Sequence, residues 1–377
     1  MTTPPRNTPI TVTHIISGDL WAGAEVQVYN LCKALNASED IAVTAVVFNP
    51  GILHDKLNGL GIAVTLADET RIGPLAIAKA IARHCTLQST DIVHTHGLKE
   101  NILGIVGKEL ARVPYSVRTV HGNPEQKLSW KKPHKWIASF LDTWTGRTRQ
   151  QSVIAVSSQL QRALAHKFPG KVHKIFNFID VNQLRNDWLR YEAKTSPELR
   201  LGIVGRLVNV KRIDLFLKTI FELQRNGISC KGIIIGDGPL KADLKKLSKE
   251  LGIEDSVEFC GFINPVAEKM RTLDALLMPS DHEGLPMTLL EALALELPVM
   301  AHEIGGIPEV LDHGKCGWLV KDHTSHGYSM AIQGSFADEN TRKEKQIRGL
   351  EHVTKQFDLT ENCRRYVEIY SNLCRSS

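Results

Sequence analysis

Short apolar runs rich in β-branched residues alternate with helical stretches along this 377-residue chain. The first run, Ile10–Ser17, is followed by a glycine-containing loop, Gly18–Gly23, and then by the helical pattern AEVQVYNLCKAL. Further runs of the same kind are IAVTAVVF, IAVTL, DIVHTHG, YSVRTVHG and SVIAVSS. Such alternation is typical of doubly wound α/β domains, in which helices cover both faces of a parallel sheet. Ligands of such domains bind beyond the carboxyl ends of the strands.

The alternation lapses once, over the polar segment Asn182–Leu199, and it restarts at the strand Leu199–Gly205. We place an interdomain linker there, because a length of about 100–200 residues per domain predicts two domains for this chain. We expect a Rossmann-like domain over residues 1–190, a second one over residues 191–354, and a C-terminal helix over residues 355–377. That helix is expected to pack back toward the first domain.

Composition excludes several classes of protein. No run approaches the roughly 18 uncharged apolar residues that a membrane-spanning helix needs. The opening MTTPPRNTPI has no apolar stretch behind basic residues, so we expect no secretory signal. The seven cysteines are odd in number and show no CxxC spacing, which predicts a reduced cytoplasmic location without structural zinc. The formal net charge of +5 does not by itself identify a class of binding partner.

The most informative stretch is Pro279–Ala294, PSDHEGLPMTLLEALA. A strand ends there, a loop carries Glu283, and Pro286 lies near the start of a helix that contains Glu291. Proline suits a first helical turn, and a helix N-terminus at the strand ends favours a phosphate group. The two carboxylates cannot bind phosphate, but they can accept hydrogen bonds from sugar and ribose hydroxyls. The stretch therefore predicts a site that anchors a nucleotide-sugar at both ends.

This stretch resembles the donor site of the retaining family 4 glycosyltransferases, in which two glutamates are separated by seven residues, as Glu283 and Glu291 are. The segments Gly205–Asp214 (GRLVNVKRID) and Gly305–Val310 (GGIPEV) also resemble donor-side motifs of that family, in the expected order. The resemblance spans nearly the whole chain. It implies a GT-B fold of two facing Rossmann-like domains with a cleft between them, the acceptor in the first domain and the donor in the second.

The resemblance also implies residue roles. Arg206 and Lys211 would stabilise the leaving diphosphate in a water-poor cleft. His121, at the strand end TVHG, and Glu283 would orient the sugar, and Glu291 would hold the ribose. The remaining donor-binding residues would be Gly23, Gly284, Leu285, Gly305 and Gly306, the last two letting the backbone approach the donor.

Two further residues are candidates on the acceptor side. His96, in HTHG, ends a strand in the same way as His121. Asn177 opens the sequence Asn-Phe-Ile-Asp, where the family often has Asn-Gly-Val-Asp. We expect Phe178, in place of that glycine, to add apolar surface near the cleft. The chain also has Ala22-Gly23 where the family commonly has two adjacent glycines.

The implied reaction needs no cofactor and no metal, because fixed cations neutralise the diphosphate and no Asp-x-Asp motif stands at a strand end. The nucleotide-sugar is a co-substrate. By resemblance, the donor is a UDP-sugar and the acceptor is a glycan or a lipid-linked sugar of cell-surface polysaccharide or lipopolysaccharide synthesis. The resemblance implies a hexosyltransferase type of enzyme.

The segment Lys127–Arg149 mixes basic and aromatic side chains. It contains Lys127, Trp130, Lys131, Lys132, Lys135, Trp136, Phe140, Trp144, Arg147 and Arg149. Such a mixture favours peripheral contact with an anionic membrane, here the inner face of the cytoplasmic membrane. The alternative is that Trp136, Phe140 and Trp144, which fall at helical spacing, form a core face. No motif for binding nucleic acid is present.

Three other functions are alternatives to glycosyl transfer. A nicotinamide-dependent oxidoreductase is disfavoured, because the first loop lacks G-x-G-x-x-G and Lys241 stands where Gly236-Asp237-Gly238 needs its third glycine. A sugar-nucleotide epimerase of the same fold remains an alternative that the fold alone does not exclude. A carbohydrate-binding protein without catalysis is the third.

Overall fold

The computed structural model describes residues 8–122, 133–188 and 198–375. The chain forms two compact units. Unit 1 comprises the residues up to Phe178 together with the segment that begins at Leu359, and unit 2 runs from Ile179 to Asp358. Each unit is an α/β structure built on its own parallel sheet, so the prediction of two doubly wound α/β domains is confirmed.

Unit 1 contains a seven-stranded parallel sheet in the order β3-β2-β1-β4-β5-β6-β7. Its strands are β1 (Ile10–Ile16), β2 (Ile41–Val47), β3 (Ala63–Leu66), β4 (Ile92–Thr95), β5 (Tyr115–Val120), β6 (Ser152–Ala155) and β7 (Val172–Lys174). Its helices are α1 (Gly23–Asn36), α2 (Ile52–Gly59), α3 (Pro74–Leu87), α4 (Leu98–Ala111), α5 (Pro133–Thr148), α6 (Ser158–Ala165) and, at the end of the chain, α15 (Leu359–Arg375).

Unit 2 contains a six-stranded parallel sheet in the order β10-β9-β8-β11-β12-β13. Its strands are β8 (Leu199–Val204), β9 (Cys230–Ile235), β10 (Val257–Gly261), β11 (Ala275–Met278), β12 (Val299–His302) and β13 (Trp318–Val320). Its helices are α7 (Val181–Trp188), α8 (Ile213–Arg225), α9 (Lys241–Glu250), α10 (Ala267–Met270), α11 (Met287–Ala294), α12 (Ile307–Val310), α13 (Ser325–Ala337) and α14 (Glu339–Gln356).

The strand order places a switch point in each sheet. In unit 1 the central strand β1 pairs with β2 on one side and β4 on the other, and in unit 2 β8 pairs with β9 and β11. Connections leave the sheet in opposite directions at such a point and open a crevice at the carboxyl ends of the strands. The loops after β1, β4, β8 and β11 are therefore the ones positioned to bind ligands.

The core of unit 1 is completed by the C-terminal helix. The helix α15 packs against α1 and β1. Its Tyr366 and Tyr370 side chains are buried among residues of the central strands and α1. The Tyr370 hydroxyl lies 2.6 Å from Nδ1 of His94 on β4. The segment beyond residue 358 thus supplies part of the same core that the N-terminal half builds.

The expected linker at Asn182–Leu199 is wrong at its start, where the structure has the helix α7. This helix packs against α10 and α11, and Arg185 donates to the carbonyl of Ala294 at 2.7 Å and to Glu296 at 2.9 Å. The sequence VNQLRNDW is mostly polar, so it lacks the hydrophobic periodicity from which a helix is predicted. The structure divides the chain after residues 178 and 358, whereas the sequence analysis placed the boundaries after 190 and 354. Residues 189–197 lie outside the described part.

Membrane spanning has no support in the described residues. Within residues 8–122, 133–188 and 198–375, no helix combines the length and the apolar character that crossing a bilayer requires.

Candidate functional site

In unit 2, two of the predicted motifs meet at the carboxyl ends of β8 and β11. Gly205 and Arg206 follow β8, and a single 3₁₀ turn, Asn209–Lys211, leads on toward α8. The loop after β11 carries Asp281, whose backbone N–H donates to the carbonyl of Val210 at 2.8 Å. This bond holds the two loops side by side at the switch point of the sheet.

Lys211 and Glu283 form an ion pair across these loops. The distance from Nζ of Lys211 to Oε1 of Glu283 is 2.6 Å, and the side chains are 25% and 9% exposed. The resemblance assigns the two residues to different parts of the donor, whereas here each neutralises the other. A shielded pair of this kind is costly to break from one side, because the remaining charge loses its partner.

Arg206 is a cation that has no side-chain partner in residues 8–122, 133–188 and 198–375. Its side chain is exposed, and among the described residues its guanidinium makes no hydrogen bond or ion pair. It lies five positions before Lys211, at the end of the strand that borders the switch point. An unpaired guanidinium at this place is available to an anionic ligand, which it can grip with two parallel N–H bonds.

Glu291 is a shielded carboxyl group on α11. Burial raises its pKa to about 7. Within the residues that the structure describes, its side chain has neither a hydrogen bond nor an ion pair. A partly buried carboxylate without hydrogen-bond donors is costly, so Glu291 is suited to accept hydrogen bonds from a ligand that brings hydroxyl groups.

The glycines of the loop after β12 pack onto the Glu283 loop. Gly305 has φ of +63°, and a Cβ there would lie 2.0 Å from the carbonyl oxygen of Glu283. The N–H of Gly306 donates to the carbonyl of Gly284 at 2.8 Å. Because the side chain of Leu285 is buried, it presents only its main chain to a ligand. These residues therefore hold the shape of the loop that carries Glu283.

In unit 1, three histidines lie next to one another, one on β1 and the others directly after β4 and β5. Nδ1 of His14, on β1, lies 2.9 Å from Nε2 of His96, which follows β4. Nδ1 of His96 lies 3.3 Å from Nε2 of His121, which follows β5. Burial lowers the pKa of His14 to about 3 and of His121 to about 4, and it holds the pKa of His96 well below its ordinary value. The two predicted histidines are thus brought together, with a third behind them.

The loop after β1 leads directly into α1, whose first residue is Gly23. Glu25 accepts a hydrogen bond from the N–H of Ala22 at 3.3 Å, and burial raises the pKa of this carboxyl to about 7. The carboxyl group therefore occupies part of the N-terminal end of α1, where a phosphate would otherwise be favoured.

The expectation that Phe178 adds apolar surface near a cleft is wrong. Its ring is fully buried in the core of unit 1, edge-on to the ring of Tyr366. Its N–H donates to Gln27 at 2.9 Å, and its carbonyl accepts from Asn30 at 3.0 Å. These two bonds to α1 fix the backbone so that the ring points inward. Asn177 is buried beside it.

The aromatic residues of α5 face the solvent. Trp136, Phe140 and Trp144 are 45%, 68% and 48% exposed, and Leu141 beside them is 38% exposed. The alternative interpretation of these residues as a core face is therefore wrong. Arg147 is exposed at the end of the same helix. The predicted residues Lys127, Trp130, Lys131 and Lys132 lie outside the described part of the chain, as does the side chain of Lys135.

Comparison with known proteins identifies the family. The model described as Glycosyltransferase Family 4 matches residues 21–183, and the model described as Glycosyl transferases group 1 matches residues 185–349. The chain belongs to the family 4 glycosyltransferases. The predicted resemblance is thereby confirmed, as are the GT-B type of fold and the transferase class of enzyme.

Two relatives of this glycosyltransferase have names that state an enzymatic activity. It is 28% identical over 315 residues to N-acetyl-alpha-D-glucosaminyl L-malate synthase of Bacillus anthracis, and this alignment covers 80% of each chain. It is 28% identical over 249 residues to the UDP-Gal:alpha-D-GlcNAc-diphosphoundecaprenol alpha-1,3-galactosyltransferase of Escherichia coli, covering 61% of this chain and 62% of that one.

Solved structures share the fold of the glycosyltransferase. HepE of Anabaena in complex with UDP-glucose superimposes with a TM-score of 0.80 at 19% identity, covering 96% of this chain and 100% of that one. Sucrose-phosphate synthase of Thermosynechococcus elongatus gives a TM-score of 0.77 at 18% identity, covering 98% and 100%. At these identities the likeness concerns the fold.

Sequence reasoning missed a second cluster near the donor motifs of the glycosyltransferase. The rings of His302, at the end of β12, and His323, after β13, are stacked with centroids 3.7 Å apart. Nδ1 of His302 donates to the carbonyl of Ser280 at 3.0 Å, and Nε2 of His323 donates to the carbonyl of Pro279 at 2.7 Å. Arg212 donates to Asp281 in that loop at 3.1 Å. In the sequence, only the positions of His302 and His323 at or after strand ends indicated this cluster.

Two groups of side chains in the described part bring together ligand atoms of the kind that metals use. The first is His14, His94 and His96. Both nitrogens of His94 are already engaged, Nδ1 with the Tyr370 hydroxyl at 2.6 Å and Nε2 with Thr119 at 2.8 Å. This group is therefore built as a hydrogen-bond network. The second comprises Asp312, Cys316 and His352. Here Lys315 pairs with Asp312 at 3.0 Å, and Nε2 of His352 donates to the backbone carbonyl of Glu309 at 3.0 Å.

Proposed function

We propose that this glycosyltransferase moves a sugar from a nucleoside diphosphate sugar, preferably a UDP-sugar, to a hydroxyl group of a glycan or lipid-linked acceptor. We further propose retention at the anomeric carbon and a role in cell-surface polysaccharide or lipopolysaccharide synthesis. The observation that carries the proposal is the arrangement at the switch point of unit 2, where Arg206 and the Lys211–Glu283 ion pair follow β8 and β11. Glu291 lies on the helix that comes next after β11 and has no side-chain partner among the described residues.

Each charged group of unit 2 suits one part of such a donor. Arg206 has no side-chain partner within the described part of the chain and can bind the diphosphate directly. Diphosphate oxygens that reach Lys211 compete with Glu283 for its ammonium group, which frees the carboxylate oxygens of Glu283 for sugar hydroxyls. Glu291 has its oxygens available for the ribose hydroxyls. The same arrangement favours a charged diphosphate over an uncharged ligand.

The proposed step balances without another reactant. The bond between the anomeric carbon and the diphosphate oxygen breaks, and the bond between that carbon and the acceptor oxygen forms. The acceptor proton passes to the leaving diphosphate, whose growing charge Arg206 and Lys211 stabilise. His121 contacts the sugar. Because fixed cations do this work, we propose that transfer needs no metal ion.

The relatives support the type of donor and acceptor. The Escherichia coli relative is named for a UDP-galactose donor and a diphosphoundecaprenol-linked acceptor, and the Anabaena structure was solved with UDP-glucose. Other relatives are named for the biosynthesis of colanic acid and amylovoran.

Calorimetric titration with UDP, GDP, ADP and NAD, each with and without EDTA, tests the proposal. We expect UDP to bind in both conditions and NAD not to bind. Binding of NAD alone would refute the transferase proposal, and binding of UDP only when a divalent metal is present would refute metal independence.

A product assay separates the alternatives. UDP-sugars are incubated with synthetic octyl glycosides, and both the sugar nucleotide and the glycoside are analysed. The transferase releases UDP in proportion to glycosylated acceptor, and the anomeric configuration of the product reports retention. An epimerase changes the sugar of the nucleotide without an acceptor, and a carbohydrate-binding protein changes neither.

The exposed face of α5 suits the surface that a lipid-linked acceptor occupies. We propose that Trp136, Phe140, Leu141 and Trp144 insert at the interface of an anionic membrane. The cationic Arg147 and Arg149, which are both exposed, provide the complementary charge.

Sedimentation with phosphatidylglycerol vesicles and with phosphatidylcholine vesicles tests this contact. We expect binding to the anionic vesicles only, and loss of binding in the double variant Phe140→Ser, Trp144→Ser. Leu75→Ser on α3 is the matched control, because Leu75 is 78% exposed on another helix. Equal binding of the double variant and the control would refute the contact.

A further inference from the structure

His14, His96 and His121 form one hydrogen-bonded row. The distances between facing ring nitrogens are 2.9 Å and 3.3 Å, and the rings of each neighbouring pair are stacked. The row runs from the middle of β1 to the loop after β5. Both outer nitrogens, Nε2 of His14 and Nδ1 of His121, are buried and have no hydrogen-bond partner among the residues that the structure describes.

The three rings are neutral at neutral pH, because burial holds every pKa in the row far below 7. A neutral imidazole has one N–H donor and one acceptor nitrogen. His96, in the middle, must therefore donate to one neighbour and accept from the other. The row has two consistent arrangements, and each fixes the tautomer of all three rings together.

In the first arrangement, His14 donates to His96 and His96 donates to Nε2 of His121. The proton of His121 then lies on Nδ1, and Nε2 of His14 is an acceptor without a donor. In the second arrangement all donors reverse, so that the N–H without an acceptor is Nε2–H of His14 instead of Nδ1–H of His121. Buried N–H groups without partners are rare in proteins. The ring of His14 is fully buried, so that no ligand reaches its Nε2–H, whereas His121 is partly exposed at the end of the row. The first arrangement is therefore favoured, because only there can a ligand accept from the open N–H.

We propose that His14 and His96 are positioning residues that fix the tautomer of His121, so that its Nδ1–H donates to an oxygen of the bound sugar. This inference rests on the sugar contact proposed above for His121. A ligand oxygen that accepts from Nδ1 satisfies the one N–H that the row leaves open. The row thus selects a hydroxyl or ring oxygen that acts as an acceptor at this point.

His94 lies beside the row without belonging to it. Its ring stacks on that of His96 with centroids 4.3 Å apart, and its two nitrogens are satisfied by Tyr370 and Thr119. Tyr370→Phe therefore disturbs the same buried cluster without changing the row. It is the matched control for the variants that follow.

The tautomer is measured in the free protein, by nitrogen-15 NMR of labelled histidine. The His121 signals are assigned by their loss in His121→Phe. We expect one tautomer of His121 with the proton on Nδ1 in the wild type and in Tyr370→Phe, and a mixture in His96→Phe. A proton on Nε2 in the wild type, or an unchanged tautomer in His96→Phe, would overturn the inference. This measurement does not depend on catalysis.

Sugar transfer provides the second readout. Losing one hydrogen bond to the sugar should lower kcat/KM for the UDP-sugar about tenfold in His121→Phe and in His96→Phe. The double variant should lose no more than His121→Phe alone, because His96 acts through His121. UDP affinity should stay unchanged in all three.

Two results contradict this second readout in different ways. If the losses multiply in the double variant, His96 acts independently of His121 and the inference fails. If His121→Phe transfers sugar at the wild-type rate while UDP still binds, the proposed sugar contact fails and the inference fails with it. The donor site in unit 2 would then stand unaffected, because UDP binding reports it separately.

Discussion

Replacing Glu291 with glutamine should stabilise the protein at alkaline pH and weaken donor binding. Burial raises the pKa of Glu291 from 4.5 to about 7 in the folded protein. Because the folded pKa lies above the unfolded one, the folded state binds the proton more tightly. The stability that the protonated group provides is fully present below pH 4.5 and is lost as pH rises through about 7. Glutamine has the same shape and does not ionise.

The size of the effect follows from the shift. A difference between 4.5 and about 7 corresponds to about 3 kcal/mol, at about 1.4 kcal/mol per pKa unit. Water reaches part of the side chain, so we expect a stabilisation of about 1–2 kcal/mol at pH 8. At pH 4.5 the two proteins should have the same free energy of unfolding.

Urea unfolding of the wild type and of Glu291→Gln at pH 4.5 and pH 8 measures this. The control is Glu268→Gln, because Glu268 is exposed on α10 and has no side-chain partner among the described residues. The control should show no pH-dependent difference from the wild type. An equal effect of Glu291→Gln at both pH values would refute the reasoning, because an uncharged cause does not depend on pH.

UDP affinity should change in the opposite direction. Hydroxyl groups donate more strongly to a carboxylate than to an amide oxygen, so Glu291→Gln should weaken UDP binding about tenfold at pH 8. Wild-type affinity should rise with pH through about 7 more steeply than that of the variant. The terminal phosphate of UDP also ionises in this range. Comparing the wild type with Glu291→Gln removes that contribution, because UDP ionises in the same way with both proteins. If the two curves of UDP affinity against pH run parallel, the ribose is held elsewhere.

Three further predictions concern other parts of the molecule. Arg206→Ala should lower kcat about 100-fold with little change in UDP affinity, because its charge matters most when the diphosphate leaves; an equal loss in both would contradict this. Sugar transfer should survive EDTA, and loss of activity with rescue by manganese would contradict metal independence. Phe178→Ala should lower the free energy of unfolding by about 3–5 kcal/mol in urea, since its ring is fully buried; a loss below about 1 kcal/mol would mean that the ring does not support the core.

The alternation of strands and helices could be predicted because buried parallel strands leave a strong local signal. The run ITVTHII became β1, an interior strand of its sheet that is buried on both faces. The helix α7 could not be predicted in the same way, since its polar sequence VNQLRNDW is held by Arg185 contacts to residues more than 100 positions away. A helix that is held by such long-range contacts shows no hydrophobic periodicity in its own sequence.

The residues of the candidate site could be selected from sequence, but their pairing could not. Lys211 and Glu283 are 72 positions apart, and only the folded sheet brings them to 2.6 Å. His14 was missed because it lies inside an apolar run, where a histidine has no local motif to mark it. Phe178 was misplaced because its direction depends on Gln27 and Asn30, which are about 150 positions earlier.

The placement of α15 has a consequence for synthesis on the ribosome. Unit 2 is one continuous stretch, so all its residues are synthesised before the helix that completes unit 1 is made. Until Tyr366 and Tyr370 arrive, the nascent N-terminal half exposes the apolar surface that they later cover, and His94 lacks its hydroxyl partner. Domains of a growing chain generally fold in the order of their synthesis. In this protein the half that is made first cannot complete its core until α15, the last helix of unit 1, has been made.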